Sequence, residues 1–232
     1  MRNLIDERPT ATLYGGNAYT LDFVQVGDLA DKDVLDIGCG FGWFEVAAGR
    51  RGARAVVGVE PEEEALSTAR RWVDSPGVSF RTASAVELPF ADASFDTVVM
   101  WEVLEHLPKH TEQRAFAEIA RVLRPGGAFY LSTPHGSLRA RVTDPAWWLI
   151  GHRHYAPQRV AGLARAAGLT VQTIESKAGW WQIVHVNDLY VSKWVLRRPP
   201  VLARVVEPRL AREWERPGGF AHVYLAARKL PA

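Results

Sequence analysis

The chain has 232 residues, 47% hydrophobic and 23% charged, with a net charge of +2. That composition suits a globular protein with one sizeable core and gives poor footing for a nucleic-acid partner. A single cysteine excludes a disulfide framework and any multi-cysteine zinc site. With a charged N-terminus in place of a secretory signal, it points to a reducing, cytoplasmic setting.

The elements follow in chain order. Residues 33–37 form a short apolar strand, and a Gly-rich turn leads into a helix over 41–51. A second strand spans 53–59. Pro61 then occupies a first helical position, with Glu62, Glu63 and Glu64 at the positive end of a helix reaching about Trp72. Strands are expected over 77–82 and 95–101. A helix over 111–123 stops at Arg124-Pro125-Gly126-Gly127, and a fifth strand covers 128–132. A helix over 156–167 and a strand over 169–176 keep the rhythm. Two helical stretches, 183–196 and 201–214, interrupt it before a last strand over 220–227. Strict alternation of strands and helices implies an α/β fold, a mostly parallel sheet covered on both faces.

The sharpest local signal is Val34-Leu35-Asp36-Ile37-Gly38-Cys39-Gly40-Phe41-Gly42. Gly at alternate positions between a strand and a helix lets a ligand press on bare backbone. A dinucleotide fingerprint would need its third Gly at position 43, which is Trp43, so the spacing argues against a nicotinamide cofactor. Glu60 ends the second strand, where an acid can accept hydrogen bonds from a ribose diol. Capping of the following helix is the structural alternative for Glu60.

Together VLDIGCGFG, VVGVEP, VELPFADASFDTVV, EVLEHLP and RVLRPGGAFYLSTP, spanning 34–134, make the chain resemble class I S-adenosylmethionine-dependent methyltransferases. The resemblance is to the small-molecule type, similar to ubiquinone-biosynthesis O-methyltransferases. It implies a seven-stranded Rossmann-like sheet with a final antiparallel strand and a helical insertion before it. The whole chain then reads as one methyltransferase domain. Its parts are a helical cover (1–32), a cofactor-binding core (33–134), an acceptor side (135–182), an insertion or lid (183–218) and the last strand (219–232).

By the same resemblance S-adenosyl-L-methionine is the co-substrate. Asp36, Gly38, Gly40 and Gly42 form the loop on its methionine side, with Cys39 packed inside that loop. Glu60 holds the ribose and Pro61 packs near the adenine. Ser84 stands where the family often has an adenine-binding Asp, with Ala85 and Val86 offering backbone groups. Trp101 lies near the methyl donor.

Methyl transfer from a sulfonium needs positioning and exclusion of water, and an oxygen acceptor also needs a base. His106, past the fourth strand, His135, past the fifth, and His154, in Gly151-His152-Arg153-His154-Tyr155, are the catalytic candidates. His152 shares that segment. No two His stand at i, i+4 on a clear helix beside a carboxylate, so no metal is expected. Glu102 and Glu105 read as one face of a helix.

Six of the nine Trp (147, 148, 180, 181, 194 and 214) fall after residue 146. Core packing, a lid over a flat acceptor and contact with a membrane surface all fit them. From Asn187 to Ala232 there are nine Lys/Arg against four Asp/Glu. The expectation is transfer of a methyl group to a small aromatic or hydrophobic acceptor, with oxygen favoured by resemblance. A catalytically silent S-adenosylmethionine- or S-adenosylhomocysteine-binding protein and a membrane-surface lipid methyltransferase are the alternatives. Oligomeric state is not legible.

Overall fold

A computed structural model describes Pro9, Leu13 and residues 15–231. The rest of the expected N-terminal cover lies outside the described residues.

Seven strands form one sheet: β1 (Asp33–Ile37), β2 (Ala55–Glu60), β3 (Val78–Thr82), β4 (Phe95–Trp101), β5 (Leu123–Pro134), β6 (Leu169–Lys177) and β7 (His222–Lys229). Their order is β3-β2-β1-β4-β5-β7-β6. The first five pair in parallel, and β7 runs antiparallel between β5 and β6. The late antiparallel strand expected from the sequence is therefore an inserted strand, not an edge. The fifth strand begins earlier than predicted, because Arg124-Pro125-Gly126-Gly127 bends the chain through a register shift instead of lying outside the sheet.

Side-chain alternation assigns the two faces. Leu35, Ile37, Val98, Met100, Phe129, Leu131, Val223 and Leu225 point to one apolar cluster. It is covered by α4 (Glu112–Val122) and α7 (Pro157–Ala166), whose buried residues include Phe116, Ile119, Val160 and Ala164. Val34, Val99, Trp101, Tyr130 and Tyr224 point to the other. That face is covered by α1 (Gly15–Phe23), α2 (Trp43–Arg50) and α9 (Ala203–Glu215). α3 (Glu63–Trp72) buries Leu66 and Ala69.

Helix α3 starts later than expected: Glu62 is its N-cap with extended dihedrals, so Pro61 lies ahead of the first turn. Two short helices were not anticipated. Ser137 caps α5 (Leu138–Thr143) by accepting the Ala140 N–H, and Asp144 caps α6 (Pro145–Ile150) by accepting the Ala146 N–H.

The C-terminal insertion is α8 (Trp180–Tyr190), continuing as a π-helical stretch (Val191–Leu196), and then α9. Asp188, buried, accepts from the Ser192 hydroxyl and from the Val201 and Leu202 N–H groups, tying the end of α8 to the start of α9. Glu213 of α9 accepts the Trp181 and Gln182 N–H groups at the start of α8. Among the described residues no helix is long and apolar enough to cross a membrane.

Candidate functional site

Where β1 ends, Gly38, Gly40 and Gly42 adopt φ of +80°, +54° and +84°, a region that glycine enters without a Cβ penalty. A Cβ on Gly38 would stand 2.1 Å from Val103 Cγ2, and one on Gly42 would stand 2.7 Å from Val73 Cγ2. Gly40 is different, because nothing lies within 4 Å of its Cβ position. Bare backbone there faces open space just before α2, a cradle that fits a ligand at a helix N-terminus. Glu60 reaches across to this loop, and its Oε1 accepts the Gly40 N–H at 2.8 Å. Its carboxylate therefore braces the loop and does not cap α3. Burial raises its pKa and the Gly40 bond opposes the rise.

The other expected cofactor residues differ in exposure and surroundings. Pro61 is exposed, just past Glu60. Ser84 turns back on its own loop, where its Oγ accepts the Val86 N–H at 3.4 Å and its carbonyl accepts the Glu87 N–H. Ala85 is buried in the core, with Val86 packed against it. Trp101 turns its ring into the cluster on the α2 side, 5.8 Å from Phe44 and 6.3 Å from Tyr224. Its indole N–H is buried with no partner among the described residues. Cys39 is buried, and burial together with the Glu45, Asp36 and Glu60 charges pushes its thiol pKa up, so it stays neutral.

Under the loop Asp36, one of the expected cofactor residues, is paired with a buried acid that sequence reading did not find, Glu45. Glu45 on α2 is 0% exposed and Asp36 on β1 is 2% exposed. Both Glu45 oxygens and Asp36 Oδ1 lack a donor among the described residues. Burial raises the Asp36 pKa to about 8, helped by the Glu60 charge, and burial beside Asp36 raises that of Glu45 strongly. A proton shared by two neutral-leaning carboxyls satisfies this geometry. Gly58 on β2 makes room for it, since a Cβ there would stand 2.3 Å from Glu45 Oε1.

Beside the Gly loop, at the carboxyl edge of β4 and β5, a cavity opens. Its polar wall includes Glu102, Asp144, His152, His154 and His222, and its apolar wall includes Ala140, Ile183, Val186 and Tyr190. Glu102 and Glu105 are not a helical face as the sequence suggested. Glu102 has φ +53°, and a single 3₁₀ turn (Leu104–His106) follows. Strained backbone of this kind clusters at functional sites. Glu102 Oε2 pairs with His222 Nδ1 at 3.1 Å, whereas Glu105 Oε2 accepts the Thr133 hydroxyl at 2.9 Å.

The 3₁₀ turn is held from behind by Arg153. Its guanidinium donates to the carbonyls of Leu104, Glu105 and Leu107 and to the Glu112 carboxylate. The Tyr155 hydroxyl joins the same group at Leu104 and Glu112.

The three catalytic candidates do not converge. His106 is exposed and its Nε2 meets His152 Nε2 at 3.2 Å. His135 Nδ1 accepts the Ser137 N–H, which turns it to its own loop. His154, 2% exposed at its side chain, puts Nε2 3.3 Å from Asp144. Desolvation of the imidazole lowers the pKa of all three, His106 included although that residue as a whole is exposed. His222 behaves in the opposite way: burial pulls its pKa down, but the Glu102 charge and hydrogen bond outweigh this and raise it. Sequence reading missed His222, a lone His opening the last strand with no motif around it.

The late tryptophans divide. Trp214 is buried against Tyr19, Tyr224 and His222, and Trp181 is part-buried on the same side. Trp148 and Trp180 are 67% and 54% exposed. The side chain of Trp194 lies outside the description. Core packing therefore accounts for Trp214 and Trp181 and not for Trp148 and Trp180.

Residues 35–131 match the family model described as a methyltransferase domain. A ubiquinone biosynthesis O-methyltransferase of Hahella chejuensis is 41% identical over 121 residues, 50% of this chain and 50% of that protein. The chain thus spans about half the length of the curated relatives it matches. In fold, the chain is similar to an S-adenosylmethionine-dependent methyltransferase from Mesorhizobium loti. That match has a TM-score of 0.63 at 22% identity, covering 87% of this chain and 93% of that one. It is equally similar to the [4+2]-cyclase SpnF, with a TM-score of 0.64 at 21% identity over 97% and 89% of the two chains. The fold alone therefore does not fix the reaction.

Proposed function

We propose that this chain, whose residues 35–131 match the methyltransferase domain model, transfers a methyl group from S-adenosylmethionine to a small acceptor. The acceptor is aromatic or hydrophobic and reacts through oxygen, and it sits in the cavity walled by Glu102, His222, Ile183 and Tyr190. One observation carries the reading. Val103, packed where a Gly38 side chain would be, joins the Gly loop directly to Glu102, so a donor on the loop and an acceptor in the cavity are neighbours.

S-adenosylmethionine supplies an activated methyl group, and the protein's work is to hold the two reactants in line and keep water out. Gly40 offers the uncovered backbone, and Glu60, fixed by the Gly40 N–H, offers a carboxylate to the ribose hydroxyls. His222 takes the acceptor's proton. Glu102 orients its imidazole and stabilises the imidazolium that results. His106, His135 and His154 are less suited, because their surroundings disfavour the charged form that a base must adopt. The apolar wall excludes water and favours a flat or hydrophobic acceptor.

The test is formation of S-adenosylhomocysteine with a panel of phenols, amines and apolar hydroxylated compounds, run on the wild type and on His222→Ala. The reading expects turnover with phenols and a loss of roughly 10²–10⁴-fold in kcat for the variant, with S-adenosylmethionine affinity unchanged. Tight S-adenosylmethionine binding with no turnover of any acceptor would favour the silent binding protein.

A further inference from the structure

We propose that Glu105, His106 and His152 bind one first-row divalent cation, Zn²⁺ foremost, at the rim of the cavity. The proposal does not depend on the methyl-transfer reading.

The ligand atoms of these three residues lie within 4.8 Å of one another. The two imidazole Nε2 atoms face each other at 3.2 Å. Two nitrogens bound to one zinc at about 2.0–2.1 Å stand roughly 3.3 Å apart at a tetrahedral angle, so this spacing is the one a shared ion requires. Glu105 supplies the carboxylate. Its side chain is 0% exposed, its Oε2 is occupied by Thr133, and its Oε1 is buried without a partner, 3.8 Å from His152 Nε2. A hydrogen bond between the two histidines would account for their approach but not for this orphaned oxygen, which is costly to bury unmet. A cation accounts for both.

The surroundings match as well. His152 Nδ1 sits 3.1 Å from Asp144 Oδ2, so the ring donates there and presents the bare Nε2 lone pair to the other ligands. This is the carboxylate–histidine arrangement that fixes the tautomer of a metal-binding imidazole. Arg153 clamps the turn that carries Glu105 and His106, which holds two ligands in place before any ion arrives. Three protein ligands leave a tetrahedral ion one position for water or a substrate oxygen. Nothing in the spacing of the sequence foretold the set, because its members come from a turn after β4 and from the segment after α6.

The full chain, stripped with a chelator and dialysed, is titrated with ZnCl₂ by calorimetry and with CoCl₂ by visible absorption. One equivalent should bind, Co²⁺ should give a tetrahedral spectrum, and Zn²⁺ should raise the melting temperature. His106→Ala, at an exposed position, and His152→Ala should each weaken binding by more than roughly tenfold, with Asp144→Asn weakening it by about 10–100-fold. Absence of stoichiometric binding overturns the proposal. So does binding that survives in the His106→Ala/His152→Ala double variant with a wild-type melting curve.

Discussion

Replacing Glu45 with Gln should flatten the pH dependence of stability. In the wild type the buried Asp36–Glu45 pair holds a proton that the unfolded chain releases, since burial beside Asp36 raises the Glu45 pKa strongly and burial raises that of Asp36 to about 8. The proton's contribution to stability is complete in acid, below the unfolded value, and is lost as pH rises toward the folded value. One such proton changes stability by at most about 1.4 kcal/mol per pH unit. At this chain length 1 kcal/mol moves Tm by roughly 2–4 °C, so the pair should cost about 3–6 °C per pH unit above ~pH 5. In Glu45→Gln an amide N–H can donate to Asp36 Oδ1, which lacks a donor in the wild type, and no proton is required. Scanning calorimetry of both proteins from about pH 5.5 to 7.5 reads the difference in slope. His222 titrates in both and cancels. Parallel Tm curves would refute the shared proton.

Glu60→Ala removes the acceptor of the Gly40 N–H and the carboxylate offered to the ribose. S-adenosylmethionine affinity, by calorimetry, should fall at least roughly tenfold, about 1.4 kcal/mol, with little change in Tm. Arg153→Ala deletes four contacts to the 104–107 turn and Glu112. It should lower stability by about 1–3 kcal/mol, because the buried Glu112 carboxylate loses its cation and keeps only the neutral Tyr155 hydroxyl among its side-chain partners, and urea unfolding measures this.

Much of the sheet was legible because strand cores and helix breakers are local signals. β1 and β4 fall where Val34-Leu35 and the 95–101 run put them. The helices after β5 were present in the sequence too, as Ser137 and Asp144-Pro145, but each is six residues long, too short to show periodicity. The Gly loop and Glu60 were readable since their spacing is set within one strand–turn–helix unit. The cavity was not. Glu102 meets His222 across 120 residues and Glu105 meets Thr133 across 28, pairings that exist only once β4, β5 and β7 are neighbours. Glu45 was hidden for a related reason: the space it occupies from α2 is the missing side chain of Gly58 on β2.

The segment from His152 to Tyr155 has a consequence for how the chain tolerates changes of length. Its side chains alternate: His152 and His154 turn to Asp144, while Arg153 and Tyr155 turn to Leu104 and Glu112. Surface connections ordinarily absorb insertions and deletions. Here a single residue added or removed would exchange the two sides, as a slip of one does in a strand. The guanidinium would then be sent to the cavity and an imidazole to the carbonyls of the turn. Length variation should be accepted before Gly151, where α6 ends in a left-handed cap, and refused in the four residues that follow.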